Sequence, residues 1–335
     1  MLAAPIPLRS NQQGASLANC SVIIPYYQRS PGILTRALNS VFAQGFQDFE
    51  IVIVDDASPL PVEAELGGFT AAQQSKIRII HQTNMGPGGA RNTGLDAIAP
   101  GTAFAAFIDS DDEWAPDHLG NAVTAMQQFG ADCYFASITG GDAFYYHFDM
   151  AKLAETTEVV RLSENPLLLE VPDLSGAMLK NWSFMHLSCL VLGEPLFRRM
   201  RFEAEFRLAA EDVLFFYESV RAARRTVLSG SVGAVRGEGM NIFHGVDNQS
   251  PEFLRQQYNT FVALDTLAKR FAHKPADIAS LEGYRETARR QALWGQAGRV
   301  KRRQLPEFGL LAEWAWRDPK LLKSAASLAF SKLSR

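Results

Sequence analysis

Along the first half of the chain, apolar residues gather into short unbroken runs: Ser21–Pro25, Phe49–Val54, Ile77–Ile80 and Ala103–Ile108. Runs this short, rich in Ile and Val and bounded by polar or turn residues, predict strands buried on both faces. Between the first two runs, Ile33, Leu34, Ala37, Leu38, Val41 and Phe42 recur at helical spacing and predict a helix over 32–43. Asp117–Phe129 predicts another after the fourth run. Strand, helix, strand in this order implies right-handed crossovers and parallel pairing. The expected fold is α/β, a mostly parallel twisted sheet flanked by helices. Beyond residue 130, Ala131–Ile138, Leu187–Leu192 and Thr226–Leu228 read as further strands, and Val213–Val220 as a helix. The aromatic run Phe144–Phe148 reads as a strand or an acceptor loop. From Pro251 onward the spacing is helical to the end, forming a C-terminal helical extension.

Candidate chemistry sits where the strands stop. The second run ends on Asp55 and Asp56, and the fourth on Asp109, Ser110, Asp111 and Asp112. Open α/β sheets bind ligands outside the carboxyl ends of their strands. Oxygen ligands packed this densely suit a hard divalent cation, Mn²⁺ or Mg²⁺, which would hold a diphosphate. The alternative is an acidic turn capping the helix that starts near Pro116. After the first run, Tyr26 and Tyr27 project into a loop where a ring can lie beside a base. After the third come Gly86, Gly88, Gly89 and Arg91, with a helix starting at Ala90, and backbone N–H groups there can receive phosphate. The segment is neither a Walker loop nor a dinucleotide fingerprint, because its ending and its place in the order differ from both. Glu211 and Asp212 open the later helix, either as a general base or as a simple cap for the helix dipole. His244, in a loop, is a candidate metal ligand or diphosphate donor.

Composition and charge add three bounds. Apolar residues make up 47% of 335, enough for a large core. Cys20, Cys133 and Cys189 are far apart, which points to a reducing, cytoplasmic setting. Residues 1–19 read as a flexible leader, and no run of 18 apolar residues suggests a transmembrane helix. The net charge of −3 conceals a split. Residues 251–335 hold 16 Lys/Arg against 8 Asp/Glu, a net of +8, so residues 1–250 carry −11. Arg285, Arg289, Arg290, Arg299, Lys301, Arg302 and Arg303 precede Trp314, Trp316, Leu321, Leu322 and Phe330. That pattern predicts a tail held peripherally on the inner face of the cytoplasmic membrane, or a helical pair packed on the rest of the chain. No nucleic-acid module is visible, so no nucleic-acid partner is expected.

The ordered segments SVIIPYY, EIVIVDDAS, NMGPGGARNTG, FIDSDDEW and AAEDVLFF resemble an inverting family-2 glycosyltransferase with a GT-A nucleotide-sugar domain, over roughly residues 20–250. Within the family the chain is similar to bacterial exopolysaccharide enzymes, including the succinoglycan type. The resemblance implies a nucleotide-sugar half at about 20–130 and an acceptor half at about 131–250, with a basic helical region at 251–335. It implies base contacts from Pro25, Tyr26, Asp55 and Asp56. Gly86 and Arg91 would lie near the nucleotide, and Asp109 and Ser110 at the ribose or sugar. The metal would fall to Asp111, with Asp112 and His244 beside it, and the catalytic base to Asp212, with Glu211 next to it. The expected partners are a UDP-sugar donor and a saccharide or lipid-linked oligosaccharide acceptor. Absence of the processive QxxRW motif favours transfer of a single sugar. A sugar nucleotidyltransferase, or a non-catalytic member of the fold, is the competing expectation.

Overall fold

The computed structural model describes residues 19–140, 150–180, 185–206, 211–237, 246–271 and 274–333. The strands are β1 (Cys20–Tyr26), β2 (Phe49–Asp55), β3 (Ile77–His81), β4 (Phe104–Phe107), β5 (Glu113–Trp114), β6 (Cys133–Thr139), β7 (Val160–Glu164), β8 (Leu167–Glu170), β9 (Leu190–Gly193) and β10 (Thr226–Val235). They form one sheet in the order β3-β2-β1-β4-β9-β6-β10-β8-β7, with β5 also pairing β10. The run β3-β2-β1-β4 is parallel throughout. Strand β9 then enters antiparallel between β4 and β6.

The period-2 alternation of β1 explains the layering. Val22 and Ile24 join one buried cluster with Phe104, Ala106 and Val191, while Ile23 joins a second with Ala105, Phe107 and Leu190. Helix α1 (Ile33–Phe42) covers the first face with Leu34, Ala37, Leu38 and Val41. Helix α2 (Gly86–Asp96) crosses close to β1, where a Cβ on Gly94 would stand 2.5 Å from Ile23 Cγ2. It begins four residues before the expected Ala90, because Pro87 in the first helical turn has no N–H to lose and a preset φ. Helix α3 (His118–Phe129) lies over β6 and β10, and helix α4 (Glu211–Ala222) buries Leu214, Phe215 and Phe216. The hairpin β7–β8 was not legible in the 131–200 stretch.

Helices α5 (Pro251–Phe271), α6 (Pro275–Lys301), α7 (Phe308–Arg317) and α8 (Lys320–Leu333) complete the chain. Ala263, Leu264, Leu267 and Leu281 extend the second sheet-face core, so α5 and α6 dock on the α/β body. Leu254, Tyr258, Phe261, Ala288, Ala292, Trp314 and Leu321 make a core of their own.

Candidate active site

Strands β1, β2 and β4 run the same way, so Tyr26, Asp55 and the Asp109–Asp112 turn meet at one carboxyl edge. Because β9 runs antiparallel to β4, with Ala106 opposite Val191, the residues just before β9 reach that turn. The Asp109 amide donates to Ser188 Oγ (3.0 Å), and that hydroxyl donates to Asp112 Oδ2 (2.6 Å). The Gly237 amide donates to Asp112 Oδ1 (3.0 Å). His186 Nδ1 lies 3.6 Å from Asp112 Oδ2. Ligand atoms of Asp109, Asp112 and His186 all fall within 4.8 Å of one another. The turn needs glycine beside it: a Cβ on Gly237 would stand 1.5 Å from the Asp111 carbonyl oxygen.

A second knot ties α2 to α4. The buried Arg91 guanidinium donates to Asp109 Oδ1 (2.6 Å) and to Glu211 Oε1 (3.2 Å), and lies 5.4 Å from the Phe202 ring. Phe202 stacks on Phe215 of α4 at 3.7 Å. Glu211 is thus held inward. Asp212 is half-buried, and one of its carboxylate oxygens accepts from the Val213 amide (2.8 Å).

The glycine-rich segment, expected to receive phosphate, meets an internal carboxylate at its start. Asp56 already occupies that helix start, accepting from the amides of Met85 (2.7 Å) and Gly86 (2.9 Å) and from Gln82 Nε2 (2.7 Å). With a carboxylate on its N–H groups and Arg91 paired to two acids, the segment has its charge satisfied from within the protein. Tyr26 also differs from expectation. It is the last residue of β1 and fully buried in the core, not a ring projecting from a loop. Pro25 and Tyr27 are half-buried beside it. Asp55 accepts from the Ser58 amide (2.7 Å), with His81 Nδ1 at 3.4 Å. Ser110 Oγ accepts from Gln28 Nε2 (3.1 Å), which joins the β1 and β4 edges. His244 and the Phe144–Phe148 run lie outside the described residues. Sequence reasoning missed His186, Ser188 and Gln28. The one available signal was the placement of His-Leu-Ser directly ahead of an apolar run.

Five carboxylates therefore converge, with the buried Arg91 as counter-charge to Asp109, Glu211 and Asp212. Burial opposes ionisation of Asp109, but Arg91, with His186 and Arg236, outweighs it and holds that carboxyl below the usual range. Burial, then the neighbouring Asp112 and Asp109, push Asp111 up to about 7. Burial likewise raises Asp112. Glu211 is pushed up to about 7 by burial and by Asp212, and Asp212 is itself raised by burial. Two carboxylates and an imidazole this close together are a candidate set of ligands for a divalent cation. The grouping differs from the expected Asp111, Asp112 and His244. Among the described residues Asp112 keeps its place, while Asp109 and His186 complete the set.

The glycosyl transferase family 2 model matches residues 21–228. The chain belongs to glycosyl transferase family 2. It is a glycosyltransferase with a GT-A-like fold. It is 58% identical over 319 residues to the succinoglycan biosynthesis protein ExoW of Rhizobium meliloti, covering 95% of this chain and 100% of that one. It is 43% identical over 167 residues to an uncharacterized glycosyltransferase of Nostoc, covering 49% of this chain and 47% of that one. Among solved structures, residues 1–349 of S. aureus TarS superpose with a TM-score of 0.60 at 19% identity, covering 94% of this chain and 91% of that one. The same fragment in complex with UDP-GlcNAc gives 0.54 at 20% identity, covering 83% and 81%.

Proposed function

We propose that this enzyme moves a single hexose from a UDP-sugar such as UDP-glucose to a saccharide acceptor, inverting the anomeric configuration. The 58% identical relative is named for succinoglycan biosynthesis, which supports a role in exopolysaccharide assembly. The complex of TarS with UDP-GlcNAc supports a UDP-linked donor. The acceptor in this reading is a lipid-linked oligosaccharide presented at the cytoplasmic face of the membrane. The observation that carries the reading is the division of labour at α4: Glu211 is locked to Arg91, whereas its neighbour Asp212 stays half-buried beside the Asp109–Asp112 turn.

Asp212 takes the proton of the acceptor hydroxyl as that oxygen attacks the anomeric carbon. The bond from that carbon to the departing diphosphate breaks on the opposite face, so one displacement inverts the centre. Burial makes Asp212 more basic than an ordinary aspartate, which favours proton transfer. A divalent cation held by Asp109, Asp112 and His186, with Asp111 as the alternative carboxylate, would offset charge developing on the diphosphate. Asp55, Asp56, Gln28 and Ser110 shape the edge beneath base and ribose, with Gly86 fixing the Asp56 carboxylate.

A donor screen tests this reading. With Mn²⁺ and an oligosaccharide acceptor, incubation with UDP-glucose, UDP-galactose or GDP-mannose should release free nucleoside diphosphate from a UDP-sugar, and EDTA should suppress the release. No release from any donor, or pyrophosphate formed from a sugar phosphate and a nucleoside triphosphate, would contradict it.

A further inference from the structure

The C-terminal helices divide their large apolar side chains into two sets. Trp314 is fully buried, packed on Tyr258 and Phe261, and Leu321 is 2% exposed. Trp316 is 91% exposed, Leu305 78%, Phe308 65% and Leu322 63%. Phe308, Ala312 and Trp316 follow one another at i, i+4 and i+8, so they form a single outward stripe along α7. Single exposed apolar residues are ordinary, but a Trp, a Phe and two Leu concentrated on one short segment are not.

The basic residues divide in the same way. Arg289 is 1% exposed and bonds Asp318, Glu282 and Glu286, while Arg285 pairs with Asp265 and Glu282. Arg299 holds Glu307 and the carbonyls of Leu305 and Gln249. These charges serve the fold. Lys301, Arg303 and Lys323 are exposed and make no ion pair among the described residues, and Lys320 and Arg317 are exposed nearby.

We propose that the α7–α8 end of the protein docks on an anionic lipid bilayer, with Leu305, Phe308, Trp316 and Leu322 entering the interface. Lys301, Arg303 and Lys323 would meet the headgroups. Exposed Lys301 and Arg303 ahead of Leu305, Phe308 and Trp316, and Lys323 beside Leu322, put cations on either side of an exposed apolar set, the composition of an interfacial segment. A protein partner fits less well, because the core of a protein interface is depleted in charge, whereas here Lys301, Arg303 and Lys323 stand next to Leu305 and Leu322 in the chain. No helix among the described residues is long and apolar enough to cross a membrane, so the contact lies on the surface. The inference names the partner surface for the proposed lipid-linked acceptor and rests on that reading for its purpose, while its test needs neither donor nor acceptor.

Co-sedimentation of the full chain with phosphatidylcholine vesicles, with and without phosphatidylglycerol, tests it. The wild type should partition onto the anionic vesicles and be released progressively by salt. Lys301→Glu with Arg303→Glu should lower that partition at least about tenfold. Phe308→Ser with Trp316→Ser should lower it at every salt concentration, with an unchanged melting temperature because both rings lie outside the core. Variants that sediment like the wild type would overturn the inference. So would a wild type left in the supernatant, or variants that turn a dimer into a monomer by light scattering without changing partition. Loss of docking with soluble sugar transfer intact would leave the transferase reading standing.

Discussion

Arg91 and His118 show how much at the residue scale depends on tertiary placement. An arginine in a glycine-rich turn reads as a phosphate ligand until Asp109 and Glu211 are found on its guanidinium. The donor types at the edge were legible, because acids that close apolar runs stand out; their pairings were not, since Asp109 and Arg91 meet only once β4 and α2 pack together. His118 is the first residue of α3. It is 2% exposed, between Trp114 (5.0 Å) and Tyr134 (6.2 Å), and a Cβ on Gly233 would stand 2.5 Å from its Nδ1. Burial lowers its pKa from 6.5 to about 3. The unfolded chain therefore binds a proton that the folded chain refuses between pH 6.5 and about 3. Stability is full above 6.5 and is lost as pH falls through that window. In urea titrations the wild type should lose about 1.4 kcal/mol more per pH unit below 6.5 than His118→Phe does. Parallel pH slopes for the two proteins would show that His118 is charged or solvated in the fold.

At the scale of elements, the first four strands and α1, α3 and α4 follow from unbroken apolar runs and 3.6-residue spacing. The insertion of β9 did not follow. Its run, Leu190–Gly193, is apolar like the others, and nothing local tells an antiparallel strand from a parallel one when both faces are buried. Yet that reversal sets the start of β9 against the end of β4 and so delivers His186 and Ser188 to the acidic turn. A consequence can be measured without catalysis. His186→Ala and Asp112→Ala should each weaken Mn²⁺ binding at least about tenfold, read by electron paramagnetic resonance, since even groups behind a metal ligand are worth that much. Asp111→Ala should weaken it less. If His186→Ala binds Mn²⁺ as the wild type does while Asp111→Ala binds none, the ion belongs to the aspartates of the turn alone.

For the whole molecule, the charge split visible in the sequence is divided between the two expectations for the tail. Much of the basic excess in residues 251–335 is spent inside the helical bundle and against the body. Arg270 reaches Glu203 and Glu218, Lys274 reaches Asp173, and the buried Arg289 gathers three acids. Count and sign were legible; which face each arginine takes was not, because helical spacing alone does not say which neighbour a helix will meet. The bundle anchors α4 through α5, and α4 in turn brings Asp212 within electrostatic reach of Asp109 at the end of β4.

That placement is the central claim, and Asp212→Asn tests it most directly. The variant keeps shape and size, so affinity for the UDP-sugar in the presence of Mn²⁺ should stay within about twofold of the wild type. Turnover at saturating donor and acceptor should fall at least about 10²-fold, the scale of a positioned general base. If donor affinity collapsed while turnover at saturation persisted, Asp212 would be a donor-site residue and the base would lie elsewhere.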